Sequence, residues 1–169
     1  MTTAMHLPNE SLTQQIGRWR KEMADGATGP LVIASEVVAL SEKWEDLRAQ
    51  AEGKDLTTWL RAALGPGKGL GYFRKRHEAV KRLGEAIRRT IHHEAAIWLA
   101  DEVSDLHWPL VKQHCFAAHR KNNKNPVTKA QAIKIVAAVT GKKPIAKVCS
   151  RCEELENFIR ANGLVVPTE

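Results

Sequence analysis

Apolar side chains recur along this chain every three or four residues with polar ones between them, and that period predicts helices throughout. Ile16, Trp19 and Met23 set the first, over residues 12–24, and the two glycines and proline of Asp25–Pro30 break it. Ser35 offers a cap for a helix through about Gln50, in which Val38, Leu40, Trp44 and Leu47 share a broad face. Asp55 caps the next, with Leu56, Trp59, Leu60 and Ala63 as its stripe and Gly65 and Pro66 as its stop. Leu70, Phe73, His77, Val80 and Gly84 then form a face that Ile87, Ile91, Ala95 and Trp98 continue, so Gly84 marks a bend or a split. Ser104 or Asp105 caps a helix whose inward residues are Trp108, Val111, Cys115 and Ala118; Pro109 sits in its first turn, where a missing amide hydrogen costs nothing. Thr128 caps a helix to about Thr140, closed by Gly141, and a last helix runs from about Ala146 to Asn162. The pattern predicts an all-α fold of seven or eight short helices with no internal repeat.

Three parts are expected: residues 1–30 as a helix and flexible linker, 31–103 as a helical domain, and 104–169 as a basic C-terminal helical module. The chain has 169 residues, 43% of them hydrophobic, which is enough for a core without disulfides. Three cysteines suit a reducing compartment. No stretch reads as a membrane span or a cleavable leader, so the expected location is cytoplasmic, or the host cytoplasm for a phage protein.

Charge changes this picture more than composition does. The net +7 divides into −3 over residues 1–53, +7 over 54–89, −3 over 90–119, +8 over 120–147 and −2 over 148–169. Clustered Lys and Arg release counterions from a phosphate backbone, so two basic blocks point to a polyanionic partner.

The first block contains "LGPGKGLGYFRKRHEAVKRLG", Leu64 to Gly84. Its glycines fail the dinucleotide fingerprint, since the sixth position from Gly65 is Leu70, and Lys68 is followed by Gly69 rather than the Ser or Thr of a phosphate-binding loop. A helix over Leu56–Leu64, a glycine-rich turn and a second helix fit instead, giving a helix-turn-helix-like segment over residues 55–84. If Leu70, Phe73, His77 and Val80 face inward, Arg74, Lys75, Glu78, Lys81 and Arg82 face out. Through "LTTWLRAALG", "PGKG" and "LGYFRKRHEAVKRLG", about thirty residues in all, the segment resembles the helix-turn-helix DNA-binding proteins of bacterial, plasmid and phage regulators. That resemblance implies major-groove contact by Arg74, Lys75, Lys81 and Arg82, with Lys68, Arg76, Arg88 and Arg89 at phosphates.

In the C-terminal third, Lys121, Lys124, Lys129, Lys142 and Lys143 lie in loops and at helix ends, where they suit phosphate contact, so this half reads as a backbone-gripping or accessory module, with plain surface solvation as the alternative. Cys115 and His119 share a helix face, and Cys149 and Cys152 form a C-x-x-C, so these four make a candidate structural zinc set. Cys115 equally fits the apolar stripe, and the simpler expectation is a small buried thiol and no cofactor. His92–His93–Glu94 lacks metal-ligand spacing and reads as a surface or interface histidine pair. No nucleophile, base or paired-carboxylate set stands out, so no enzyme is expected. The leading reading is a non-enzymatic duplex-DNA-binding protein, a regulator or accessory factor of a bacterial or mobile element. The alternative is a phage-type inhibitor or adaptor whose basic face meets the acidic surface of a host nucleic-acid-processing protein. RNA binding is third, because it draws on the same lysines and arginines.

Overall fold

Ser11 is the first of the residues, 11–141, that the computed structural model describes, and it caps helix α1 (Leu12–Met23). Its hydroxyl accepts from the Gln14 amide at 3.3 Å, and the Gln14 side chain accepts from the Ser11 amide at 3.0 Å. The expected break after α1 is present, but it is short. Asp25 accepts from the Ala27 amide at 3.0 Å and from the Thr28 hydroxyl at 2.5 Å, closing a tight turn; the Thr28 bond chiefly holds the Asp25 carboxyl below its ordinary pKa.

Helix α2 (Gly29–Glu42) therefore starts six residues before Ser35. Pro30 lies in its first turn, where proline starts a helix rather than ending one. Ser35 is not a cap: its hydroxyl lies 3.1 Å from His77 Nδ1. The expected continuation to Gln50 is divided into α3 (Trp44–Leu47) and a 3-10 turn, Arg48–Ala51. Val37, not Val38, is the buried valine of α2.

Helices α4 (Leu56–Leu64) and α5 (Leu70–Leu83) have the expected bounds, and Asp55 caps α4 by accepting from the Thr58 amide at 3.0 Å. They do not pair as a closely packed hairpin. Helix α5 packs chiefly along α2 and along α6 (His93–Glu102), and only lightly on α4. Gly84, at φ 95°, ends α5, so the expected bend or split is a split, followed by a 3-10 turn over Glu85–Arg89. Helix α7 (Trp108–Lys121) has Pro109 in its first turn, with His107 rather than Ser104 or Asp105 at the cap position. Helix α8 (Lys129–Thr140) is capped by Thr128 and closed by Gly141, as its sequence implies. The last expected helix lies outside the described residues.

The described residues form eight α-helices and no strand beyond one isolated bridge between Ile91 and Val127, so the all-α expectation holds. None of these helices is long and apolar enough to cross a membrane. Two buried clusters make the core. Trp19, Ile33, Val37, Leu60 and Phe73 belong to one; Leu31, Val80, Ile87, Leu99, Val111 and Cys115 belong to the other. Helices α2 and α5 contribute to both and form the seam between them. Trp19 is fully buried and donates to Glu36 at 2.8 Å, so α1 packs into the core. Trp44 is buried too, while Trp59, Trp98 and Trp108 are half-buried.

Two glycines in helices make a sharp test of the packing. A Cβ on Gly29 would overlap the Glu22 carbonyl, where α2 starts against the end of α1, whereas a Cβ on Gly17 would meet open space. Gly17→Ala should therefore stabilise the protein by about 0.5–1 kcal/mol through helix propensity. Gly29→Ala should lower stability by at least about 1 kcal/mol, because the clash is with backbone that cannot rotate away. Denaturant midpoints of the two variants should move in opposite directions.

Candidate nucleic-acid interface

The position of α5 decides which of its charges reach solvent. At about 100° per residue, Gly71, Arg74, Lys75, Glu78, Lys81 and Arg82 fall within an arc of about 120°, and all six are exposed. The opposite side carries the buried Phe73, Arg76, Ala79, Val80 and Leu83. Among the described residues, no carboxylate lies within ion-pair distance of Arg74, Lys75 or Lys81. Arg82 differs: it donates to the Val103 carbonyl at 2.8 Å and lies 3.5 Å from Asp105, so it closes the C-terminal end of α6. A shallow groove of about 430 Å³ runs beside this face, with Arg74, Lys75, Glu78 and Arg82 on α5 and Ile97 and Asp101 on α6. The face is thus cationic with one carboxylate, Glu78, within it and another, Asp101, at its rim.

Arg76 corrects the sequence reading. Expected at a phosphate, it is 3% exposed, because α5 turns residues 73, 76, 80 and 83 inward rather than 70, 73, 77 and 80. Its guanidinium lies 3.4 Å from the centre of the Tyr72 ring. Nη1 donates to the Tyr72 carbonyl at 2.9 Å, and Nη2 donates to Glu94 Oε1 at 2.7 Å and meets His93 Nδ1 at 2.8 Å. Nδ1 also lies 3.0 Å from Glu94 Oε1, so the imidazole, the guanidinium and the carboxylate meet at one point. Burial lowers the pKa of Arg76, and Tyr72 and Glu94 oppose that shift. Its Nε has no partner among the described residues.

The same cluster accounts for the histidine pair. His92 and His93 stack with ring centroids 4.6 Å apart, and His92 Nδ1 accepts from the Glu94 amide at 3.2 Å, capping α6. Desolvation first, and the Arg76 charge second, push His93 down to about 4, so it is neutral at pH 7. Lys68 is half-buried, with its ammonium 3.0 Å from the Tyr72 hydroxyl. Nothing at the level of motif or spacing identifies this cluster. A signal was present in Phe73, Arg76, Val80 and Leu83, a helical series in which one member is a cation.

Arg88 and Arg89, also expected at phosphates, have partners within the protein. Arg88 donates to Ser35 Oγ at 2.6 Å and to Glu85 at 3.0 Å; Arg89 donates to Glu22 at 2.7 Å. They tie the 3-10 turn after α5 to α2 and α1. Lys121 and Lys124 are exposed, whereas Lys142 and Lys143 lie outside the described residues.

Of the candidate zinc set, Cys115 is fully buried and burial pushes its thiol up to about 11, so it is a neutral core side chain at pH 7. His119 Nδ1 lies 3.0 Å from the Asn125 carbonyl. No group of three or more metal-ligating side chains occurs among the described residues, and Cys149 and Cys152 lie outside them. Comparisons of the chain with protein-family models, with curated proteins and with solved structures each returned no match.

The His93 environment sets a pH dependence. Its pKa falls from an ordinary 6.5 to about 4 on folding, so between those values the unfolded chain binds the extra proton. Stability is then fully present above pH 6.5 and decreases as the pH falls towards 4, by up to roughly 3 kcal/mol at about 1.36 kcal/mol per unit. His93→Gln keeps an acceptor for Arg76 but does not titrate. Urea midpoints between pH 7 and 5 should fall in the parent protein and remain flatter in this variant.

Proposed function

We propose that this protein is a non-enzymatic duplex-DNA-binding protein, a regulator or accessory factor of bacterial or mobile-element type, with α5 as the helix that enters the major groove. The observation that carries the reading is the α5 row itself: Arg74, Lys75 and Lys81, exposed and unpaired among the described residues, on a helix whose other side is fixed in the core. A helix held that way presents its cations from a fixed backbone, so the ordering cost of binding falls on the side chains alone. Arg74 and Lys75 can donate to guanine edges, Lys81 to a phosphate further along the helix, and Lys68 to one from the turn before it. Glu78 and Asp101 then act against misplacement, because a phosphate brought close to either is repelled.

A second reading, a protein-binding adaptor or inhibitor, is favoured by one specific feature. Leu106 is 85% exposed and Leu110 is 46% exposed, next to Asp105 at the turn between α6 and α7. Exposed leucines beside charge suit a protein surface better than a nucleic acid.

The experiment is a binding series with labelled duplex DNA, structured RNA and single strand at two salt concentrations. Arg74→Glu, Lys75→Glu and Lys81→Glu together should weaken duplex binding by about 100-fold or more while leaving helical circular dichroism intact. Arg82 is kept, because it holds the Val103 carbonyl. Unchanged duplex affinity in the triple variant would remove α5 as the reading helix, and a flat salt response would move the reading to a protein partner.

A further inference from the structure

From Leu106 to Gly141 the chain has six Lys or Arg residues and not one Asp or Glu. Five of them, Arg120, Lys121, Lys124, Lys129 and Lys134, are exposed on the end of α7, the turn after it and α8. Among the described residues none of the five has an ion-pair partner. Elsewhere the exposed arginines Arg48, Arg82 and Arg89 each meet a carboxylate, whereas, among the described residues, Arg20, Arg61 and Arg74 do not. Solvation alone accounts for single lysines, but a stretch this long without any acid concentrates positive charge on the α7–α8 hairpin.

The turn that bears these charges is held firmly. Val127 is 1% exposed; its amide donates to the Thr90 carbonyl at 2.9 Å and its carbonyl accepts from the His92 amide at 3.0 Å. The Lys124 amide donates to the His119 carbonyl at 3.0 Å, and Thr128 caps α8. Asn123 and Lys124 are both left-handed, at φ 50° and 61°, so the turn has a defined shape. Its exposed side chains are Lys121, Asn122, Asn123, Lys124 and Asn125, which are donors of the kind that suit phosphate oxygens.

A series of contacts locates this turn relative to α5. Val127 is bridged to His92, His92 stacks on His93, His93 meets Arg76, and Arg76 lies on Tyr72, whose hydroxyl bonds Lys68. These contacts tie the basic turn to the start of α6 and, through Arg76, to the inner side of α5. We propose that the turn between α7 and α8 is a second, sequence-independent grip on the phosphate backbone of duplex DNA. The partner is duplex DNA on grounds of charge complementarity, and the inference rests on the DNA-binding reading given above.

The test measures how affinity for mixed-sequence duplex DNA varies with salt, for the full chain and two triple variants. The first is Lys121→Gln, Lys124→Asn and Lys129→Gln; Asn at 124 tolerates the left-handed backbone. The second replaces the same three lysines by Arg. The neutral variant should lose about 2.7 from the slope of log affinity against log salt, at about 0.9 per phosphate contact, with its ranking of different duplexes unchanged. The arginine variant should keep the parent slope. A parent slope in the neutral variant, or an equal loss in the arginine variant, overturns the grip and leaves α5 standing. Failure of the parent protein to bind duplex DNA at all overturns the DNA reading and the grip with it.

Discussion

Helix α2 is the constraint on which the arrangement depends. Its sequence, GPLVIASEVVALSE, is apolar on nearly every side, and Leu31, Ile33, Ala34 and Val37 have no exposed surface. A helix of that kind is stable in water only when other elements surround it. Helices α1, α3, α5 and α6 and the 3-10 turn after α5 all pack on it. At about 25 cal/mol per Å² of apolar surface, its burial outweighs any single surface contact in the molecule. This is why α1 is part of the core rather than a loose arm.

That arrangement leaves α5 with two neighbours on its inner side, α2 and α6, and only its third side in water. Arg76 lies towards α6, in a place where an aliphatic residue would be ordinary. A buried cation is costly, and it is tolerated here because the Tyr72 carbonyl, the Tyr72 ring, Glu94 and a neutral His93 together replace its water. Glu94 remains half-exposed, so the pair is anchored at the surface and only one of its charges is deeply placed. The cluster links the first half of α5 to the start of α6.

The distribution of partners then shapes the outer field. Acids are concentrated in the first two-thirds of the described chain, and Glu22, Glu36, Glu85 and Glu94 each hold an arginine. Among the described residues, Arg74, Lys75 and Lys81 on α5 and the five exposed cations of the α7–α8 hairpin are left without an ion pair. Surface ion pairs contribute little to stability, so this segregation has more effect on what the protein attracts than on how firmly it folds. The α5 face is cationic with Glu78 within it and Asp101 at its rim, and the α7–α8 turn is cationic without any acid.

The sequence alone determined the helices whose signals lie within a turn or two of each other. Asp55 and Thr128 as caps, Gly84 as a stop, Pro109 in a first turn, the bounds of α4, α5 and α8 and the burial of Cys115 are all local matters of period and hydrogen-bond geometry. The exposed half of the candidate site, Arg74, Lys75 and Lys81, was legible for the same reason. Tertiary structure decided the rest. Pro30 could end a helix or begin one, and the short Asp25–Thr28 turn made it a beginning. Arg76 could face water or α6, and Arg88 and Arg89 could meet a phosphate or a glutamate; the outcome depended on Glu94, Glu85 and Glu22, two of them distant in sequence. A helical period says which residues share a side. Which side turns inward depends on what packs against it, and that is settled by residues the local pattern does not contain.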